Sequence, residues 1–266
     1  MSTDQAVPCA IAALYCFTDL PDVEDWVTRL RGAGEQAGIR GTLILATEGI
    51  NGTIAAPAVD LDPFMEIILK DPRFAQISLK RSTAPFNPFP KFKVRHKKEI
   101  VSFRQPGADP RQQVGTYVDP KDWNALISEP GVITIDTRNA YEVAVGRFRG
   151  ASDPGTENFT QFARYVEENL DPGRDQKVAM YCTGGIRCER ATAYLKAQGF
   201  REVYHLRGGI LNYLAEVPPE ESLWEGDCFV FDNRVAVDHH LRPTDWVMDE
   251  ALNWPVKIGP ATPPES

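Results

Sequence analysis

One cysteine stands where a thiol can do chemistry. Residues 177–181, KVAMY, form a short apolar run that leads directly into Cys182-Thr183-Gly184-Gly185-Ile186-Arg187, and helical spacing from there to Gln198 ends at Gly199. A strand–loop–helix unit of this kind turns loop N–H groups inward beside a helix N-terminus and makes a cradle for an anion. A cysteine at the base of the cradle loses its proton more readily, and the cradle stabilises a thiolate or an anionic adduct. Gly184 and Gly185 let the loop curl without Cβ clashes, and Arg187 closes the ring with a guanidinium able to pair an oxyanion. Cys182 is therefore the candidate catalytic residue, with Thr183, Gly184, Gly185, Ile186 and Arg187 as its active-site loop.

Cys182 and Arg187 enclose four residues. Cysteine phosphatases use a loop one residue longer to fit a phosphate, so the tighter ring here suits a smaller adduct such as a single extra sulfur on Cys182. Cys188 follows the loop arginine and either resolves a persulfide or sulfenic acid on Cys182 or packs beneath the loop on a helix face. Cys9 and Cys16 read as core residues and Cys228 as a buried strand residue. Five cysteines without C-x-x-C spacing, and four histidines in no ligand register with them, imply neither a disulfide framework nor a metal site.

Alternating elements must hold that loop. Strand signals at 132–135, 177–181 and 203–205 alternate with helical ones at 121–128, 139–145, 158–170, 187–198 and 209–215. That alternation predicts an α/β domain with a mostly parallel sheet, opened by Asp119 as N-cap and Pro120 as first helical residue. Ligands of such sheets sit beyond the carboxyl ends of the strands, which is where Cys182 falls. Ahead of it, strands at 9–17, 41–46, 53–56 and 76–80 and helices at 21–37 and 59–69 follow the order of an α+β ferredoxin-like domain, with a turn at Asn51-Gly52. Pro85, Pro88, Pro90, Pro106 and Pro110 mark linker-like chain. The expected organisation is a ferredoxin-like domain at 1–95, a basic, Pro-rich linker at 96–115, the α/β domain at 116–220, and a C-terminal extension at 221–266. Trp246, Met248, Leu252 and Trp254 imply that the extension packs on something.

The net charge of -8 argues against a generic nucleic-acid binder, but the charge is segregated. Residues 1–79 carry -6 and residues 105–266 carry -9, whereas residues 80–104 carry +7. That stretch holds Lys80, Arg81, Lys91, Lys93, Arg95, Lys97, Lys98 and Arg104 against Glu99 alone, interleaved with Phe86, Phe89, Phe92 and Phe103. Rings that stack on splayed bases between cations that hold the backbone are one way to grip single-stranded or loop RNA. The eight cations are the candidate RNA-binding residues; the competing reading is a basic surface loop whose phenylalanines fold into the core.

The strand, Cys-x4-Arg loop and helix, with Ile135-Asp136-Thr137-Arg138 and Gly150-Ala151, resemble a rhodanese domain. The resemblance makes Cys182 the persulfide-forming residue and has Asp136 and Arg138 support its loop from a neighbouring strand end. Further stretches resemble the TrhO family of tRNA uridine hydroxylases: GTLILATEGINGTIA at 41–55, VGTYVDPKDWNALI at 114–127, VAMYCTGGIRCERATAYL at 178–195, EVYHLRGGILNYL at 202–214 and GDCFVFDNRVAV at 226–237. What the resemblance implies is a ferredoxin-like domain followed by a rhodanese-like one, and an oxidoreductase that uses molecular oxygen to form 5-hydroxyuridine at the wobble position of tRNA, gripping the anticodon arm. Relatives often continue into a cysteine-rich tail, whereas no cysteine follows Cys228 here.

Two alternatives share these residues. A plain sulfurtransferase uses Cys182 but leaves the basic stretch unexplained, and a non-catalytic RNA-binding module leaves Cys182 and Arg187 unexplained. No G-x-G-x-x-G loop or His/His/carboxylate triad is present, so no resident cofactor is expected, and the reductant stays unassigned. No obligate protein partner is expected either. Hydrophobic residues make up 42% and charged ones 25%, as in ordinary globular domains. No apolar run approaches the ~20 residues of a bilayer span, and the first residues lack a basic signal-peptide region, so a cytoplasmic protein is expected.

Overall fold

The computed structural model describes residues 8–175 and 177–258, and the chain divides into two compact units, at Met1–Arg104 and Gln105–Ser266. The first contains β1 (Cys9–Phe17), α1 (Val23–Gln36), β2 (Arg40–Ala46), β3 (Gly49–Ala56), α2 (Ala58–Leu69), β4 (Ser78–Ala84) and β5 (Phe92–His96). Its sheet runs β4-β1-β3-β2-β5, antiparallel except where β5 lies parallel to β2. The first four strands have the ferredoxin-like order expected from the sequence. Alternation along β1 sends Ala12, Leu14 and Cys16 to the helix-covered face, where Trp26 and Leu30 of α1 and Leu61, Phe64 and Ile68 of α2 close the core.

Two differences from the sequence reading lie here. The fourth strand falls at Ser78–Ala84 rather than 76–80, and a fifth strand follows a connection that holds Pro85, Pro88 and Pro90. Those prolines punctuate a strand-to-strand crossover, not an interdomain linker. The stretch after β5 is also anchored: Ile100 and Phe103 are buried, the Ile100 N–H donates to Glu48, and Asn51 donates to the Ile100 carbonyl. Residues up to 104 thus belong to the first unit.

The second unit contains β6 (Thr116–Val118), α3 (Pro120–Ile127), β7 (Val132–Asp136), α4 (Ala140–Val143), β8 (Gly146–Phe148), α5 (Phe162–Asn169), β9 (Lys177–Tyr181), α6 (Ile186–Ala197), β10 (Glu202–Leu206) and α7 (Gly209–Glu216). After them come β11 (Trp224–Gly226), β12 (Cys228–Phe229), β13 (Ala236–Val237), β14 (Trp246–Asp249) and β15 (Trp254–Lys257). The main sheet is parallel throughout, in the order β6-β10-β9-β7. Pro120 opens α3 as expected, but the Asp119 carboxylate caps nothing and instead pairs with Arg207. α6 is buried from Arg187 to Leu195, which is why its apolar pattern reads less clearly than that of α1. Beyond α7, the short β11 pairs with β8, and β12–β13 and β14–β15 form two small ribbons.

A candidate thiolate site at the end of the central parallel strands

β7 and β9 run in parallel register, with Asp136 opposite Tyr181, so the residues that follow each strand stand side by side. Thr137 and Cys182 are those residues. The Thr137 N–H and hydroxyl both donate to the Tyr181 carbonyl at 3.0 Å, pinning the chain one bond before the cysteine. From the other side α7 clamps the loop: Ile210 N–H donates to the Cys182 carbonyl at 2.9 Å and Leu211 N–H to the Thr183 carbonyl at 3.1 Å. That approach needs Gly209, at φ +68°, where a Cβ would lie 2.4 Å from the Cys182 carbonyl oxygen. Within the loop it is Gly185, at φ +102°, that turns the chain into α6. Gly184 has open space around it, so the expectation that both loop glycines are needed for curvature holds for Gly185 alone.

The Cys182 sulfur lies inside this ring, 1% exposed, and accepts the Gly185 N–H at 3.1 Å. Burial by itself would raise its pKa. The Cys188 thiol, the Arg187 charge and the N–H groups of Cys188 and Gly185 together outweigh that cost and hold Cys182 well below the ordinary thiol value. Cys188, fully buried and spent as a donor to Cys182, is pushed in the opposite direction, and it also touches the Thr137 hydroxyl at 3.6 Å. The two neighbouring sulfurs are thus shifted in opposite directions, Cys182 toward the thiolate and Cys188 toward the thiol.

Arg187 does not offer its fork to the loop centre. Both of its terminal nitrogens bond Glu142, each at 2.6 Å, and Glu142 is completely buried. Burial would keep that carboxyl protonated, yet Arg187 and the Asn139 N–H hold it ionised. Arg187 therefore acts on Cys182 through its field, and not as the free oxyanion clamp that the motif suggests. Glu142 also accepts from the Thr183 hydroxyl at 3.3 Å, so one carboxylate ties α4 to two loop residues. Sequence reasoning missed Glu142. The Asn139-x-x-Glu142 capping box was the legible signal, and it explains the helix start but not the arginine.

Asp136 and Arg138 are displaced in role too. They form a buried pair, with Arg138 Nη2 2.6 Å from Asp136, and Arg138 donates onward to the carbonyls of Glu142 at 3.2 Å and Gly146 at 2.6 Å. The expected support of the Cys182 loop is thus indirect: the pair fixes the backbone that carries Glu142. Among the described residues no group of three or more His, Cys, Asp and Glu side chains is arranged to hold a metal ion.

Residues 9–100 match the family model described as UPF0176 acylphosphatase like domain, and residues 119–216 match the rhodanese-like domain. A curated protein of Picosynechococcus sp., named tRNA uridine(34) hydroxylase, is 51% identical over 246 residues, which cover 92% of this chain and 83% of that one. The chain belongs to the tRNA uridine(34) hydroxylase family. Among solved structures, the rhodanese-like domain of an Anabaena protein is 23% identical and covers 42% of this chain and 80% of its own, with a TM-score of 0.34. A rhodanese-related protein of Thermoplasma volcanium is 19% identical, over 39% of this chain and 95% of its own, at a TM-score of 0.30.

In this family member the basic stretch sorts into three groups. Lys91, Lys93, Arg95, Lys97, Lys98 and Arg104 are exposed, with Lys93 and Arg95 pointing from β5 away from its buried Val94. Arg81 is paired with Asp62 of α2, and the Lys80 ammonium is buried. The interleaved rings are mostly core: Phe103 is buried, Phe92 packs in the helix-covered core against Phe64, and Phe89 joins Cys9, Ile11, Ala55 and Ala84. Phe86, at 40% exposure, is the exception.

Proposed function

We propose that this chain is an oxygen-dependent tRNA uridine hydroxylase that acts in the cytoplasm, takes the anticodon arm of tRNA, and forms 5-hydroxyuridine at the wobble position with Cys182 as its reacting residue. The observation that carries this reading is a buried cysteine that accepts the Gly185 N–H at the start of α6 and whose acidity Cys188, Arg187 and loop N–H groups raise, in a chain 51% identical to a relative named for that reaction. Uracil is electrophilic at C6, and thiolate addition there places carbanion character on C5, the carbon that gains one oxygen atom of O2; the other atom leaves as water with two electrons from an external two-electron reductant, and loss of the C5 proton expels the thiolate from C6. The same thiolate can instead carry a small adduct, a role suited to a sulfur that is 1% exposed in a tight loop. Arg187 and the α6 N-terminus stabilise negative charge on either species. The exposed cations of residues 91–104 serve as the phosphate-binding surface.

The burial of Cys182 in a six-residue ring also favours a second reading, the sulfurtransferase, in which the adduct is a sulfane sulfur. Nucleoside mass spectrometry of total tRNA separates the two. A strain lacking this protein and any redundant route to the nucleoside should lose 5-hydroxyuridine derivatives, and wild type but not Cys182→Ala should restore them. Unchanged tRNA in that strain overturns the hydroxylase reading and leaves the sulfurtransferase.

A further inference from the structure

The chain past α7, together with Tyr141 of α4, builds a cleft. It has a volume of about 380 Å³, within the roughly 300–1,000 Å³ of small-ligand sites, and is lined by Tyr141, Phe229, Phe231, Asn233, Met248 and Asn253 among others. Apart from Tyr141, these residues lie beyond the rhodanese-like match, which ends at 216. Three of the rings form a row, with Tyr141 to Phe229 and Phe229 to Phe231 both 5.2 Å between centroids. The row ends on the active-site arginine, whose guanidinium carbon lies 5.8 Å from the Phe231 centroid. Arg187, whose charge acts on Cys182, thus lies beside the ring at the end of the row.

Phe231 is 60% exposed, and its exposure is not that of a slack loop. It sits at the tip joining β12 to β13, and that tip is fixed. Val230 N–H donates to Val235 at 2.8 Å, and Asp232 takes Arg234 through three bonds of 2.6–3.0 Å, with both side chains buried. Val235 is held at φ +59°, a conformation β-branched residues avoid, so packing over-determines the tip. A rigidly presented ring with one face open is the form of a stacking platform. The charge of Asp232 is already satisfied by Arg234, which leaves the Tyr141 hydroxyl and the amides of Asn233 and Asn253 as the uncharged polar side chains of the lining. Aromatic faces with neutral donors and acceptors suit a flat, uncharged ring with a hydrogen-bonding edge, and not an anion.

We propose that this cleft is the subsite for the unstacked target uracil of the tRNA, held against Phe231 and Tyr141 and read along its edge by Asn233. The proposal rests on the tRNA reading above. It assigns base recognition to the C-terminal extension, leaving the basic stretch of the first unit to hold phosphates.

Two measurements test it. Steady-state hydroxylation of tRNA should show Phe231→Ala reducing kcat/KM by roughly 10–100-fold, the loss expected of one stacked base, while Phe231→Tyr stays within about twofold of wild type. The pH profile of Cys182 alkylation should be the same in all three proteins, which separates a recognition defect from a damaged loop. In parallel, an anticodon-arm RNA with 4-thiouridine at the target position should photocrosslink to peptides containing Tyr141 or Phe231. Phe231→Ala with wild-type kcat/KM, or crosslinks confined to other peptides, overturns the subsite while leaving the hydroxylase standing. A wild type that forms no 5-hydroxyuridine overturns the hydroxylase reading instead, and the crosslink position then decides the subsite alone.

Discussion

Cys182 and Cys188 differ by six positions in sequence and by opposite shifts in acidity: Cys188, Arg187 and loop N–H groups favour the charged form of Cys182, while burial and the neighbouring Cys182 disfavour that of Cys188. The thiolate form of Cys182 is the reactive one, so alkylation accelerates as pH rises through its lowered pKa and then levels off. Removing the Cys188 donor removes the first of the stabilising contacts, and Cys188→Ala should therefore move the midpoint of the iodoacetamide rate profile to higher pH. An unmoved midpoint would mean that Arg187 and the loop N–H groups do all the work. The Cys182 loop was legible from its residues because its pattern is local: strand, cysteine, Gly185, helix. Glu142 was not, because the pairing of a carboxylate in α4 with an arginine in α6 is set by how the sheet stacks the two helices' ends, 45 residues apart. For the same reason Arg187 looked free in sequence and is engaged in the structure.

At the scale of elements, the order of strands and helices was readable from periodicity, while the glycines' roles were not. Gly184 and Gly185 sit side by side in a loop, yet what distinguishes them is a backbone angle and a neighbour, neither of which composition reports. Gly209 read as the start of a helix, and its close approach to the Cys182 carbonyl is a tertiary fact. Gly209→Ala should lower activity by at least about tenfold, since either the loop or α7 has to shift and the left-handed position costs ~1–2 kcal/mol. Gly184→Ala, with nothing within 4 Å of the added Cβ, should retain near-wild-type activity. Steady-state assays of the two variants, with thermal unfolding to monitor stability, check the contrast. β5 was hidden by the prolines around it, and its recognition needed the free edge of β2.

Across the whole molecule the charge is divided, with an acidic chain carrying one cationic stretch. Seven of the eight cations expected to bind RNA are exposed, and six of these lie outside the Arg81–Asp62 pair, which makes them available to phosphates. Each phosphate contact releases counterions, so tRNA affinity should fall steeply with salt. Lys93→Gln/Arg95→Gln should weaken tRNA binding at low salt and flatten the salt dependence by about two contacts' worth, as read from Kd at several salt concentrations. Arg81→Gln should change neither, because its partner is Asp62. Among the described residues no helix is long and apolar enough to cross a membrane.

The clamp from α7 also has a temporal side. Ile210 and Leu211 spend their amide hydrogens on the Cys182 and Thr183 carbonyls, so those hydrogens exchange only when these bonds open. Deuterium uptake at these two positions is therefore a clock for the loop, counting each departure of the cysteine's backbone from its seat whether or not a substrate is turned over.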